Sequence, residues 1–178
     1  MELMAETKKA LVVVDMLNDF IRPDGSLTVG GPGLEIVPFV REQIEKARAG
    51  GIPVIYLCDQ HRPDDPEFRM FPPHCIAGTE GGEVISELRP QPGDWVVPKR
   101  RYSGFYESQL DLVLRELEIE EIMLVGVCTN ICVLYTASDA RNRAYQVTVL
   151  KDGVATFDPE AHEWALKEME KTLGARIA

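Results

Sequence analysis

The chain has 178 residues, of which 45% are hydrophobic and 27% are charged, and its formal net charge is −10. The composition is ordinary for a soluble globular protein, and the length favours one domain spanning residues 1–178. The acidic balance argues against a nucleic acid or an anionic membrane surface as a partner, since both attract basic faces. No apolar run approaches the roughly 20 residues of a membrane span, so no membrane association is expected.

The start of the chain and its cysteines indicate a reducing compartment. The first nine residues, MELMAETKK, lack the apolar core of a signal peptide, which predicts a cytoplasmic protein. Four cysteines (Cys58, Cys75, Cys128 and Cys132) are too few for a disulfide scaffold in a chain of this size. They are therefore expected to be reduced thiols.

Five short runs rich in β-branched residues predict strands. In chain order they are ALVVVD (10–15), IPVIYL (52–57), WVVPK (95–99), EIMLVGV (121–127) and QVTVLKD (146–152). Near-continuous apolar strands are typical of a sheet that is covered on both faces.

Four helical patterns alternate with these strands: LEIVPFVREQIEKARAGG (34–51), ESQLDLVLRELEI (107–119), NICVLYTASDARNRA (130–144) and DPEAHEWALKEMEKTLGA (158–175). The first has Pro38 near its start and ends at Gly50 and Gly51. The last has Asp158 as its N-cap and Pro159 at the first helical position. The alternation predicts an α/β fold with a single-domain parallel sheet flanked by helices on both faces, a Rossmann-like arrangement.

The predicted strands bring reactive side chains to one edge of this sheet. Asp15 ends the first strand, Asp59 follows the second, Lys99 ends the third, and Cys128 follows the fourth. In open α/β sheets, ligands bind outside the carboxyl ends of the strands. Each residue alone is typical of a solvated strand end, but four of them at the same edge predict a functional site.

Cys132 is the better candidate for a nucleophile in this group. A nucleophilic cysteine must be a thiolate or lose its proton as it attacks. Thr129 or Asn130 can cap the following helix, which would place Cys132 in the first turn, where the positive end of the helix dipole favours a thiolate. Lys99 could add positive charge, and Asp15 could accept the proton. The alternative is that both cysteines of this segment are small buried hydrophobic side chains, the commoner role of a free cysteine.

Three segments, ALVVVDMLNDF, PKRRYSGF and GVCTNICVLYTASDA, resemble the signature segments of the isochorismatase-like cysteine hydrolases. The resemblance covers residues 10–157 and implies the isochorismatase-like hydrolase fold with Asp15, Lys99 and Cys132 as a catalytic triad. It also implies a cis peptide bond between Val127 and Cys128, which would aim the backbone N–H groups of Cys128 and Cys132 at an oxyanion.

The long segment 59–83 resembles the nicotinamidase branch of this family. DQH (59–61) and PPHC (72–75) match its D-x-H and P-P-H segments, which implies that Asp59, His61 and His74 bind one divalent metal ion. Glu67 occupies the place of a further ligand in some members. Two imidazoles with carboxylate oxygens suit zinc, and also manganese or iron with waters completing the coordination sphere. The alternative to a metal site is an ordinary solvated loop. No organic cofactor is expected.

The same resemblance has one departure, at Gln60. Many nicotinamidases have tryptophan there, and its ring packs beside the substrate. The substrate-binding wall is therefore expected to come from other side chains, with Gln60 beside them. The candidates are Phe20, Phe71, Tyr102, Phe105 and Tyr135, of which Phe20 and Phe105 lie in the matched segments. Core packing is the alternative role for each ring.

The resemblance implies hydrolysis of nicotinamide to nicotinate and ammonia through a cysteine thioester, a reaction of NAD salvage. One alternative is another cysteine amidase of the family that acts on a carbamoyl, ureido or other small amide. A second is a non-catalytic α/β module that binds a metal or a nucleotide, although GGPG at 30–33 matches neither G-x-G-x-x-G nor a P-loop. The expected partner is a small amide, and a homo-oligomer is expected because family members often self-associate.

Overall fold

Six strands form the sheet that carries the predicted site. They are β1 (Lys9–Val14), β2 (Val54–Asp59), β3 (Trp95–Lys99), β4 (Glu121–Val127), β5 (Gln146–Ala155) and β6 (Arg176–Ile177). The computed structural model describes residues 7–178, so most of the segment used to argue against a signal peptide lies outside the described residues. The strand order is β3-β2-β1-β4-β5-β6, and every neighbouring pair is parallel, which confirms the predicted α/β fold.

Six α-helices connect the strands: α1 (Asn18–Ile21), α2 (Gly31–Glu35), α3 (Val37–Ala49), α4 (Leu110–Glu116), α5 (Leu134–Asn142) and α6 (Pro159–Lys171). A π-helical turn, Thr129–Val133, directly precedes α5. Three short 3₁₀ turns, Pro66–Arg69, Glu80–Gly82 and Ser86–Leu88, divide the long connection between β2 and β3.

The two ends that the sequence marked most clearly are formed as predicted. Helix α3 has Pro38 in its first turn and ends at Gly50, and Gly51 then adopts a φ of 68°, a value that favours glycine. At the start of α6, the Asp158 side chain accepts a hydrogen bond of 2.9 Å from the backbone N–H of Glu160.

Strand β5 is longer than predicted, because its middle looks like a turn in the sequence. Lys151, Asp152 and Gly153 interrupt the apolar pattern, but the strand continues to Ala155. The β4–β5 register shifts across this stretch and absorbs the extra residues as a bulge. Strand β6, α1 and α2 were not predicted, since elements of two to five residues are too short for periodicity to detect.

The alternating side chains of β1 divide the core into two layers, one on each face of the sheet. Val12 and Val14 pack with residues of α4, α5 and α6, whereas Leu11 and Val13 pack with residues of α3. Burial of both faces explains why the central strands are apolar along their whole length.

Gly126, near the carboxyl end of β4, packs against the backbone of β1 with no room for a side chain. Its φ is 117°, and a Cβ at this position would lie 2.0 Å from the carbonyl oxygen of Val14. The order in which strands are added to the sheet reverses direction between β1 and β4. Open α/β folds bind ligands in the crevice at such a reversal. Within residues 7–178, none of the helices has the length and apolar character needed to cross a membrane.

Candidate active site

The carboxyl edge of the sheet brings the predicted reactive residues together. Asp15 directly follows β1, Asp59 ends β2, Lys99 ends β3, and Cys128 directly follows β4. All four side chains are buried, as is that of Cys132 one helical turn later. Buried charged groups must be paired or hydrogen-bonded, so the contacts among them decide what the site can do.

The Lys99 ammonium group lies at the centre of these contacts. Its Nζ donates to Asp59 Oδ1 at 2.8 Å, to the carbonyl oxygen of Arg101 at 3.0 Å and to Cys132 Sγ at 3.4 Å. These three bonds use its three hydrogens. Burial opposes the charge, but the carboxylates of Asp15 and Asp59 raise the pKa of Lys99 well above its ordinary value. Lys99 is therefore a fixed positive charge.

Asp15 keeps one carboxylate oxygen free to accept a proton. Its Oδ1 accepts a hydrogen bond of 2.8 Å from the backbone N–H of Asp59. Its Oδ2 lies 3.0 Å from Lys99 Nζ, yet within the described chain no donor meets hydrogen-bond geometry at this atom. Burial raises the pKa of Asp15 to about 6, although the attraction of Lys99 partly offsets the increase. This is a suitable value for a general base near neutral pH.

Cys132 is a neutral thiol at rest and not the thiolate that its place in the helix suggested. Burial, followed by the negative charges of Asp15 and Asp59, raises the pKa of the Cys132 thiol well above its ordinary value, and Lys99 only partly opposes this. The thiol must therefore lose its proton as it attacks, and Asp15 is the neighbouring acceptor.

The predicted side-chain caps of the following helix are wrong. Cys128 precedes the π-helical turn, and neither Thr129 nor Asn130 caps it. The Thr129 hydroxyl instead lies 2.8 Å from His162 Nδ1, and the Asn130 side chain accepts a hydrogen bond of 2.6 Å from Thr156. These contacts tie the turn that carries the thiol to α6 and to the end of β5.

The peptide bond between Val127 and Cys128 is cis, as the family resemblance implied. Both residues line the same cavity as Cys132. Burial raises the pKa of the Cys128 thiol to about 12, so this second cysteine is also a neutral thiol.

Asp59, His61 and His74 form a buried cluster with one possible ligand atom from each residue, all within 4.8 Å of one another. His61 Nε2 lies 3.0 Å from Asp59 Oδ2, and His74 Nε2 lies 3.6 Å from the same oxygen. Burial alone would raise the pKa of Asp59, but Lys99 and the two histidines lower it below its usual range. The three residues predicted as metal ligands are thus adjacent in space.

Nδ1 of each imidazole contacts a hydrogen-bond acceptor, so Nε2 can serve as the metal ligand. His74 Nδ1 lies 2.7 Å from the carbonyl oxygen of Pro72, and His61 Nδ1 lies 3.0 Å from Asp65 Oδ2. With the proton on Nδ1, each Nε2 would keep its lone pair for a metal ion bound beside the Asp59 carboxylate. Two imidazole nitrogens and one carboxylate oxygen in this arrangement fit a zinc ion with an open coordination position.

Glu67 faces the same cavity but does not belong to this three-residue group. With His61 and Asp65 it forms a second buried group whose possible ligand atoms lie within 4.8 Å of one another, and its Oε2 is 3.8 Å from Nη1 of Arg101. Burial and the charge of Asp59 raise the pKa of Glu67. Its role as a further metal ligand stays a prediction.

The cavity above Cys132 has mostly apolar and aromatic walls. Of the predicted rings, those lining it are Phe20, Phe71 and Tyr102. Three further apolar residues were not predicted: Leu27, Ile131 and Phe157. Phe157 follows β5 at the same edge as the other site residues, so the strand-end argument would have found it had β5 been extended to Ala155.

Three residues predicted for the substrate wall do not line the cavity. Phe105 is buried in the core, where its ring lies 5.9 Å from that of Tyr145. Tyr135 is 49% exposed and stacks on the outer side of Tyr102, with ring centroids 5.7 Å apart. Gln60 is exposed and lines a separate groove. Tyr135 therefore supports the cavity wall through its contact with Tyr102.

Comparison with known proteins identifies the family. A family model described as the isochorismatase domain matches residues 9–178. The crystal structure of nicotinamidase/pyrazinamidase PncA from Bacillus subtilis is 41% identical, with a TM-score of 0.92, and the match covers 97% of this chain and 100% of that chain.

Two further solved structures carry different names and are similarly close. N-carbamoylsarcosine amidase from Thermoplasma acidophilum is 42% identical, with a TM-score of 0.88 over 96% of this chain and 95% of that chain. The pyrazinamidase of Pyrococcus horikoshii in complex with zinc is 34% identical, with a TM-score of 0.90 over 96% and 98%. Given the family match over residues 9–178 and these neighbours, the chain belongs to the isochorismatase family and is one of its amidohydrolases.

Proposed function

We propose that this protein is a metal-dependent cysteine amidase that hydrolyses nicotinamide to nicotinate and ammonia, a reaction of NAD salvage. The observation that carries the proposal is the position of the Asp59–His61–His74 cluster, two of whose residues, Asp59 and His74, line the same cavity as Cys132. A thiol nucleophile and a metal-binding cluster on one cavity suit a substrate with a carboxamide at one end and a ligating ring nitrogen at the other.

The charges of the cavity favour a neutral aromatic amide over a carbamoyl amino acid. The charged side chains among the described residues that line it are the acids Asp15, Asp59 and Glu67, with no lysine or arginine. Lys99 lies beneath the cavity floor and is already bonded to carboxylate. A carbamoyl amino acid would therefore find no lysine or arginine among these lining residues to pair with its carboxylate. The nicotinamidase and pyrazinamidase names of similar structures also support this choice.

Acylation begins when Cys132 Sγ attacks the carboxamide carbon and its proton passes to Asp15 Oδ2. The backbone N–H groups of Cys128 and Cys132 stabilise the oxyanion of the tetrahedral intermediate. Asp15 then returns the proton to the nitrogen as the C–N bond breaks. Ammonia leaves, and the acyl group stays on sulfur as a thioester.

Deacylation uses the same base with water as the nucleophile. Asp15 accepts a proton from the water that attacks the thioester carbon, and the C–S bond breaks. The thiolate of Cys132 takes the proton from Asp15, which restores the neutral thiol and releases the carboxylic acid. Lys99 balances the negative charge that moves between Asp15 and Cys132 through both steps.

The cluster would hold a zinc ion through Asp59 Oδ2 and the Nε2 atoms of His61 and His74. A zinc ion bound there would supply a Lewis-acidic contact for a ring nitrogen of the substrate. Phe20, Phe71 and the other rings of the cavity would hold the flat ring by apolar contact and keep bulk water from the thiol.

An ammonia-release assay over a panel of amides tests the proposal. The panel contains nicotinamide, pyrazinamide, N-carbamoylsarcosine and ureidoacrylate, each assayed with zinc and with a chelator. Rapid zinc-dependent release from nicotinamide, absent in Cys132→Ala, is expected. Release from a carbamoyl or ureido compound alone would overturn the substrate assignment, and release unaffected by chelator would overturn the role of the metal.

A further inference from the structure

Asp65 lies outside the proposed metal ligands, and its carboxylate accepts hydrogen bonds from a backbone amide and a guanidinium. Oδ1 accepts from the backbone N–H of Glu67 at 2.9 Å and from Arg101 Nη1 at 3.2 Å. Oδ2 lies 3.0 Å from His61 Nδ1 and accepts from Arg101 Nη1 at 3.1 Å. The Asp65 side chain is buried, so these contacts replace its hydration.

This arrangement makes His61 Nδ1 a hydrogen-bond donor. A backbone N–H and a guanidinium can only donate, so both Asp65 oxygens act as acceptors. Burial works against the charge, but the Arg101 guanidinium contacts both oxygens and pairs with the ionised carboxylate. An ionised carboxylate has no proton to give, and His61 Nδ1 must therefore be the donor in their contact.

We propose that Asp65 is a positioning residue that holds the proton of His61 on Nδ1, aims its Nε2 lone pair at the metal position and so sets the zinc affinity of the cluster. The inference rests on the metal site of the proposed function, although it does not depend on the identity of the substrate. Hydrogen-bonded carboxylates commonly orient metal-bound histidines in this way, and their loss typically weakens metal binding 10- to 100-fold.

His61 is the ligand whose orientation a side chain controls. His74 Nδ1 is paired with a backbone carbonyl, that of Pro72, which substitutions leave in place. Asp65 is also held by Arg101, whose own carbonyl oxygen accepts from Lys99 Nζ. Asp65 thereby connects the histidine loop to the segment that follows β3.

Two substitutions separate orientation of His61 from support of the loop. Asp65→Asn keeps the size of the side chain. Its NH₂ group is a donor, however, and would face another donor, either His61 Nδ1–H or the N–H of Glu67. Asp65→Ser can still accept from the Glu67 N–H as a cap but cannot reach His61. The matched control is Asp64→Asn, because the neighbouring Asp64 is exposed and pairs with Arg62.

The zinc dissociation constant of the full-length protein, measured by competition with a chromophoric chelator, is the test. Asp65→Asn and Asp65→Ser are each expected to raise it 10- to 100-fold, and Asp64→Asn to leave it within about twofold. The ¹⁵N spectrum of His61 in the zinc-loaded wild type is expected to show a protonated Nδ1, and this signal is expected to change in both Asp65 variants.

Three results would overturn the inference. They are an unchanged zinc affinity in Asp65→Ser, an equal loss in Asp64→Asn, which would reduce the effect to net charge, and a wild-type protein that binds no zinc. Nicotinamide turnover does not enter the measurement. Zinc binding that depends on Asp65 in a protein without nicotinamidase activity would therefore refute the proposed substrate and support this inference.

Discussion

Lys99 donates a hydrogen bond of 2.8 Å to Asp59 Oδ1, and this bond joins the thiol to the histidine cluster. The other oxygen of Asp59 lies 3.0 Å from His61 Nε2. One carboxylate therefore serves both halves of the site, with one oxygen for each. Because the contact is buried and charge-assisted, it holds the Lys99 ammonium group in a fixed position beside the histidine cluster.

Cys132→Ala is expected to reduce amide hydrolysis to background, because no other thiol contacts Lys99 within the described chain. The matched variant Cys128→Ala is expected to retain most activity, since the Cys128 side chain takes part in no step of the reaction. Ammonia release and alkylation of the remaining thiols would be measured in both. An inactive Cys128→Ala beside a normally active Cys132→Ala would reverse the assignment.

Lys99→Met is expected to destabilise the fold by about 3–5 kcal/mol, because it leaves Asp15 and Asp59 buried without their cation. Urea unfolding at pH 8 without added metal measures this free energy. The control is Lys9→Met, whose partly exposed pair with Glu121 is expected to contribute less than about 1 kcal/mol. Equal losses in the two variants would contradict a special role for the buried ammonium.

The pH dependence of kcat/KM is expected to report Asp15. Its pKa is raised to about 6, so the carboxylate is the base above that pH and is protonated below it. At saturating zinc, kcat/KM is therefore expected to fall about tenfold per pH unit below 6. Asp15→Asn is expected to be inactive at every pH while it keeps its zinc. A profile that is flat down to pH 5 would remove Asp15 as the base.

His61→Ala and His74→Ala are each expected to lose bound zinc, because each removes one of the three clustered ligands. Elemental analysis after gel filtration measures the zinc content. Cys132 is expected to react with iodoacetamide in both variants at about the wild-type rate, since the thiol and its base are untouched. Full zinc occupancy in either variant would place the metal elsewhere.

Phe157→Ala is expected to raise the KM for nicotinamide about tenfold with a smaller change in kcat, because it removes an apolar wall and no reacting group. Tyr106→Ala is the control, as Tyr106 is exposed and is not among the residues that line the cavity. Steady-state kinetics of both variants give the comparison. An unchanged KM in Phe157→Ala would mean that the substrate ring binds away from β5.

The central strands could be predicted because burial on both faces leaves a continuous apolar run, as in β1 and β4. The site residues followed from the same runs, since Asp15 and Lys99 lie where those runs stop. The π-helical turn that holds Cys132 could not be predicted, because its anchors, His162 and Thr156, belong to distant segments.

The aromatic residues that wall the cavity were predicted less well than the charged residues and the thiol at the strand ends. Aromatic residues near the matched segments could face either the cavity or the core, and only packing decides between them. Phe105 packs in the core beside Tyr145. Phe157 lines the cavity just after β5, and the end of this strand could not be predicted because of the bulge within it.

Gly126 touches neither the metal cluster nor the thiol, yet it restricts how this enzyme can evolve. Any side chain there would meet the backbone of Val14 and push apart the two strands from which Asp15 and Cys128 emerge. Phe71 and Phe157, which wall the cavity, lie instead in loops outside the helices and strands. New substrate preferences are therefore expected to arise by substitutions in the loops, while the close packing of β1 against Gly126 of β4 is kept.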